Sequence, residues 1–268
     1  MAVHMGYVGS VQIGAGKYFC TGSSLNPVQT LNMPDLVQGH PSHHAWAWGK
    51  IEIGGNVSGV LTEDSGSLWN TAYNRETSLD HMPSIVVNIC YYRSIGRQFT
   101  GAQINSLEMS VTAGDVANFT VDFMATAANT NQNPVVADCK KLVTWDACSF
   151  TGVSGDVQSI SCSLNNNLQR VYVCGPTSAD YNPFDVVAGM RTIGGSVTIY
   201  AEGAPGINAA KDSYGATTAE GGASCTAVFG PITVAMTNCQ LHRSQAALKT
   251  DVAIYTVEYK GTCLPDSI

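Results

Sequence analysis

"IEIGGNVSGVLTED", residues 51–64, returns in altered form as "RTIGGSVTIYAEG" at residues 191–203. Both hold Ile-Gly-Gly, a short polar residue, a valine, and a strand-like run ending in acid. The likeness extends outward from these two stretches. "DVANFTVDFM" starts at Asp115 and "DVAIYTVEYK" at Asp251, a shift of 251 − 115 = 136. Phe119 falls on Tyr255, Val121 on Val257, Asp122 on Glu258 and Phe123 on Tyr259. "SSLNPVQ" (23–29) echoes "CSLNNNLQ" (162–169), with Leu25 on Leu164, and "FTGAQINS" (99–106) echoes "MTNCQLHR" (236–243). Four matches run in one order at nearly one spacing, so two copies of a single unit is the economical reading.

The chain is long enough for two ordinary domains at 268 residues. The seam falls in "TAANTNQNPVV" (126–136), which is rich in Asn, poor in apolar bulk and carries Pro134. The expected division is a first β repeat over 1–126, a linker over 127–136 and a second β repeat over 137–268. The halves match in charge. Residues 1–134 carry nine acids and five bases, and 135–268 carry eleven and eight.

Strand signals dominate. In "NFTVDF" (118–123) Phe119, Val121 and Phe123 share one face; in "IYTVEYK" (254–260) Tyr255, Val257 and Tyr259 do the same. The expected fold is all-β with minor α: two tandem, similar antiparallel barrels or sandwiches, each with one short helix. The first helix lies in the insert 64–83, with Ser67 as its cap and a run through Trp69 and Tyr73. The second sits near residues 208–212. Gly-Gly at the head of each repeated strand fits a bulge, a close approach of another backbone, or a plain turn before the strand.

Formal charge is −7, from 20 acids and 13 bases, and nothing forms a basic groove for nucleic acid. Charge of this sign suits a surface that lets a polyanion pass. The opening "MAVHMGYVGSVQIGAG" lacks an apolar run and reads as a poor signal peptide. Residues 221–242, the longest uncharged run, hold Pro231, glycines and threonines, and read as strands and a turn. Nine cysteines with no C-x-x-C pair read as mostly buried, reduced thiols.

Candidate chemistry is thin. His40, His43 and His44 lie in "GHPSHHAWAW" (39–48), but the counterpart in the second half has no histidine, and a metal site wants three or four convergent ligands. Trp46 and Trp48 would share a face of a strand, as a sugar platform or as packing beneath a loop. Glu63, Asp64, Asp115 and Asp251 sit at strand ends or turns. "GSVQIGAG" (9–16) lacks the G-x-G-x-x-G order of a nucleotide loop. The sequence assigns no catalytic residue, no cofactor-binding residue, no metal ligand and no cofactor. An enzyme is not expected; function must be sought in shape.

A small barrel with unpaired edges is a natural building block, and a fused pair would halve the number of chains in a ring. Six units would need three chains. At this point the residues acquire a family likeness. "GAQINSLEMSVTAGDVANFTVDFMA" (101–125) resembles the strand–turn–strand of bacteriophage tail tube proteins. "SISCSLNNNLQRVYVCG" (159–175), with "PFDVVAGMRTIGGSVTIYAEG" (183–203), is similar to the second half of members with a doubled tube domain. The resemblance implies a structural virion protein that forms stacked rings, here trimeric and pseudo-sixfold, making a hollow tail tube through which DNA passes without specific binding. It also implies assembly in the host cytoplasm and tail proteins as partners: further copies of itself, tape measure, terminator, baseplate and, in some tails, a sheath. No membrane partner is implied. One long loop per unit would reach the next ring, by position 32–48 and 176–189. The alternatives are a baseplate hub or another tail ring that does not polymerise, and a carbohydrate-binding β-sandwich adhesin that uses Trp46 and Trp48.

Overall fold

The structure is a computed structural model, and it describes residues 9–32, 47–74, 82–92, 95–131, 140–152, 156–173, 182–202, 223–249 and 252–263. Strands account for nearly all of it. In the first half they are β1 (Gly9–Ile13), β2 (Gly16–Asn32), β3 (Ala47–Val60), β4 (Ile85–Tyr92), β5 (Ile95–Thr112), β6 (Asn118–Met124) and β7 (Ala127–Asn131). The pairing order β4-β1-β2-β3-β6-β5, with β5 returning to β4, closes an antiparallel barrel. Closure removes most of the unpaired edge that an open sheet would present.

In the second half lie β8 (Cys148–Thr151), β9 (Asp156–Asn165), β12 (Thr192–Glu202), β13 (Ala223–Phe229), β14 (Ile232–Lys249) and β15 (Val252–Cys263), with β10 (Gln169–Val171) and β11 (Asp185–Val187) as a separate hairpin. They pair in the order β9-β12-β15-β14-β13-β8, and β8 lies against β9. The order repeats that of the first half, except that β1 and β2 form a hydrogen-bonded ladder and β8 and β9 do not among the described residues.

The bulges correspond as well. Thr21 is left over between Cys20 and Gly22 opposite Gly59 and Ser58; Gln158 is left over between Val157 and Ser159 opposite Ile199 and Thr198. Along this ladder Leu25 faces Gly55 and Cys162 faces Gly195, so Leu25 corresponds to Cys162 at a shift of 137. The Leu25–Leu164 match read from sequence is thus two residues out of register, which leaves the face unchanged because side chains alternate with period two.

Alternation decides what is buried. Phe119, Val121 and Phe123 of β6 are buried, as are Val257 and Tyr259 of β15, while Glu258 between them is exposed. Tyr18 meets Phe119 edge-on at 5.3 Å, Phe99 meets Phe123 at 5.1 Å, and Phe150 lies 5.1 Å from Tyr259. Such pairs add about 0.5–1.5 kcal/mol each beyond the area they bury. Buried residues of both halves form one cluster, so the two halves share a core.

The glycine pairs lie inside β3 and β12, and the ladders to β6 and β15 run through them without a shift. A methyl group on Gly195 would overlap the Ser161 carbonyl and the Tyr259 hydroxyl, and one on Gly54 (φ +152°) the Phe123 carbonyl. Close approach, rather than a turn or a bulge, is why glycine stands there. Tyr259 lies across the gap and donates its hydroxyl proton to the Ser161 carbonyl at 2.5 Å. Burial pushes that phenol far above its usual pKa.

One helix, α1 (Ser67–Tyr73), is described. Its cap is Gly66, and Ser67 is the first helical residue rather than the cap. The expected second helix near 208–212 lies outside the described residues. Residues 127–131 of the expected linker form β7, paired with β5, and 132–139 lie outside the described residues. Among the described residues no helix is long and apolar enough to cross a membrane.

Candidate functional surface

The two halves meet strand to strand. β5 is 18 residues long. Its first part pairs with β4 and its last part, along the same edge, with β9; the opposite edge takes β7 and then β6. The seam runs from Ser106 opposite Asn165 to Thr112 opposite Ser159. It is bracketed by Asn166 N donating to the Asn105 carbonyl at 2.7 Å and Ala113 N donating to the Gln158 carbonyl at 2.8 Å. Counting by twos between those brackets, Leu164, Cys162 and Ile160 exchange hydrogen bonds with Leu107, Met109 and Val111. All six side chains are buried. Burying the larger apolar ones contributes about 1.5–3 kcal/mol each.

A buried asparagine pins one end of the seam. Asn166 donates from Nδ2 to the carbonyls of Ala72 at 3.0 Å and Ile104 at 2.9 Å, and its Oδ1 accepts from Arg191 Nε at 2.8 Å. The Arg191 guanidinium lies 4.3 Å from the centre of the Tyr73 ring. Beside it, Asn105 donates to Asp122 Oδ2 at 2.7 Å and accepts from Leu168 N at 2.9 Å. Helix α1, β5, β6 and the approach to β12 are fastened at one place. Sequence reading did not single out Asn166, because its partners lie tens of residues away.

Seam pairing makes β2-β3-β6-β5-β9-β12-β15-β14 one continuous sheet. Its inward face is the apolar core. Its other face is lined mostly by hydroxyls, amides and carboxylates, exposed or half-buried except at the end where Gln103 and Met124 lie under Met82, Leu168 and Val186. One row across it runs Ser58, Thr120, Glu108, Ser163, Gly194, Lys260. The next carries Asn118, Ser110, Ser161, Ser196 and Glu258. Hydroxyls link across it, Ser58 to Thr120 at 3.2 Å and Ser161 to Ser196 at 2.9 Å. Asp122, Glu108 and Glu258 project there, against Lys260.

At one end of this face the β10–β11 hairpin is strapped to β3. Arg170 Nη2 donates to the Ile53 carbonyl at 3.2 Å, Tyr172 donates its hydroxyl to the Ile51 carbonyl at 3.1 Å, and Lys50 Nζ sits 4.7 Å from the Tyr172 ring centre. The hairpin region exposes Val171, Val173, Val187, Phe184 (69 % exposed) and Met190 (82 %).

The candidates for chemistry are dispersed. Glu63 pairs with Lys141 at 3.3 Å and Asp64 with Lys140 at 3.1 Å, exposed contacts worth little individually. Asp115 lies in an exposed turn, and Asp251 lies outside the described residues. His40, His43, His44 and Trp46 also lie outside them, and of Trp48 only the strand backbone is described. Among the described residues no three His, Cys, Asp or Glu side chains converge. Cys20, Cys90, Cys162, Cys225 and Cys239 are buried, and Cys148 is half-buried. The facing Cys239 sulfur, then burial, pushes the Cys225 thiol up.

Residues 8–255 match the family described as phage tail tube protein. The comparison with curated proteins gives no match.

Proposed function

Since the chain belongs to the phage tail tube protein family, and so to a family of structural virion proteins, we propose that three copies close into a pseudo-sixfold ring and that rings stack into the hollow tail tube. The chain is then a tandem of two tube units, 1–126 and 137–268, joined by a short connection. The repeated order of strand neighbours and the repeated bulge support this reading.

The observation that carries it is the polar face of the eight-strand sheet. A sheet with one face in the core and the other wet forms the wall of a larger barrel when its end strands meet those of other copies. The face then lines the bore. Hydroxyls and amides leave duplex DNA without a hydrophobic or cationic grip, and carboxylates repel its phosphates. The uncovered Phe184 and Met190 face the next ring. Assembly takes place in the host cytoplasm, with the tape measure, terminator and baseplate as further partners. A baseplate hub differs by copy number, one ring per particle against many.

Electron microscopy of the purified protein tests the reading. Hollow tubes or rings whose averages show threefold symmetry are expected. Glu108→Lys with Glu258→Lys should still assemble but retain short duplex DNA at low salt, with release as salt rises. Particles that are monomers under every condition, or lysine-substituted tubes that bind no more DNA than the wild type, overturn it.

A further inference from the structure

Two stretches of edge are left without a partner among the described strands. On β2, β1 occupies one edge only from Gly16 to Cys20, so that edge is open from Gly22 to Asn32. On β14, β13 occupies one edge from Ile232 to Cys239, so that edge is open from Gln240 to Lys249. These are the two strands that correspond to β9 and β5, the pair that makes the internal seam. What the chain does once within itself, it leaves undone at its two ends.

We propose that β14 of one copy pairs with β2 of the next, in the register by which β5 pairs with β9; this rests on the ring reading above and names its closing contact. The correspondence fixes the register. Across the shared ladders, residues 159–165 of β9 answer to 22–28 of β2, each 137 lower, bulge included. On the other side Leu107 and Arg243 both oppose the central valine of their β6 or β15 partner, Val121 and Val257. A bulge at Ser244 then brings Glu108, Ser110 and Thr112 onto Gln245, Ala247 and Lys249. The seam pairs Glu108–Ser163, Ser110–Ser161 and Thr112–Ser159 become Gln245–Asn26, Ala247–Ser24 and Lys249–Gly22 between copies.

Parity supports this register. In the seam those pairs are the ones without mutual hydrogen bonds, and their residues sit on the polar face. Ser24 opposes Asn56, which opposes Asp122, so it lies on the same polar face. A shift by one residue would place polar-face positions of one copy beside core positions of the next.

Pro27 fits as well. The Ile53 carbonyl accepts from Ala125 N at 3.0 Å on the β6 side, so Pro27, opposite Ile53, turns its nitrogen to the open edge. Proline within sheets is confined to such edges. In the seam the same place is held by Leu164, so the inter-copy ladder has one donor fewer and is the weaker of the two joints. That asymmetry lets the chain fold before it assembles.

Disulfide trapping tests the register. Antiparallel pairs without mutual hydrogen bonds bring Cβ atoms within disulfide reach. Ser24→Cys with Ala247→Cys in one chain should give, after mild oxidation of assembled protein, a reducible ladder on denaturing gels that ends at three chains. Each single variant, the wild type, and the offset pair Ser24→Cys with Leu248→Cys should stay monomeric. Asn26→Cys with Gln245→Cys probes the same register should the first pair fail to assemble. Tubes in the microscope without covalent trimers from either pair, or trimers from the offset pair, overturn this pairing while leaving the tube reading intact. A ladder that runs past three overturns closure by three copies. A wild type that never forms rings brings down the tube reading itself.

Discussion

Replacing Asn166 by alanine removes three side-chain hydrogen bonds from a fully buried position, those to Ala72, Ile104 and Arg191. The two neutral bonds are worth about 1 kcal/mol each and the one from the guanidinium about 1.5–3 kcal/mol. The loss is therefore about 4 kcal/mol, since alanine supplies neither donor nor acceptor. With a urea slope of about 3 kcal/mol/M for a chain of this size, the unfolding midpoint should fall by roughly 1.3 M. Circular dichroism through a urea series reads this directly, at one protein concentration because assembly stabilises by mass action. A midpoint within about 0.3 M of the wild type would refute the view that this residue locks the seam. It would mean that water or neighbouring groups satisfy the carbonyls and Arg191 without cost.

Other expectations follow from the same geometry. Gly195→Ala should cost about 2–4 kcal/mol, because the methyl group displaces Tyr259 from its bond to Ser161; a calorimetric melt checks it. Phe184→Asp with Met190→Asp should leave single rings intact but stop their stacking, seen as short particles by sedimentation and microscopy. The Thr144 hydroxyl, donating to Asp146, lowers that carboxyl below its usual range. A folded pKa that is lowered favours the fold above the ordinary carboxylate value of about 3.9, and the gain disappears as pH falls through the folded value. Thr144→Val should raise the Asp146 pKa in a carbon-detected NMR titration; an unchanged value would remove the hydroxyl as its cause.

How much was legible in the sequence differs from element to element. The strands of "NFTVDF" and "IYTVEYK" were, faces included, because alternation along a strand is a local property that needs no knowledge of the partner. The all-β class followed from the same signal. Helix α1 was placed correctly but its cap was not, since Gly66 closes the turn through backbone geometry that no side chain announces. "TAANT" read as linker, yet its last residues pair with β5, because polar composition also suits an edge strand. The surface proposed for the bore is built largely from residues the sequence left unremarked: Glu108, Ser110, Ser161, Ser163 and Ser196 are ordinary one at a time.

By itself the sequence determined the alternation and the class of fold, both of which rest on short-range periodicity. The tertiary structure alone decided why Gly-Gly recurs, which strands adjoin, and that β5 reaches across to β9 to merge two sheets into one. Those answers depend on which backbone lies 5 Å away across the sheet. A residue more than fifty positions distant leaves no trace in the local pattern that would reveal it.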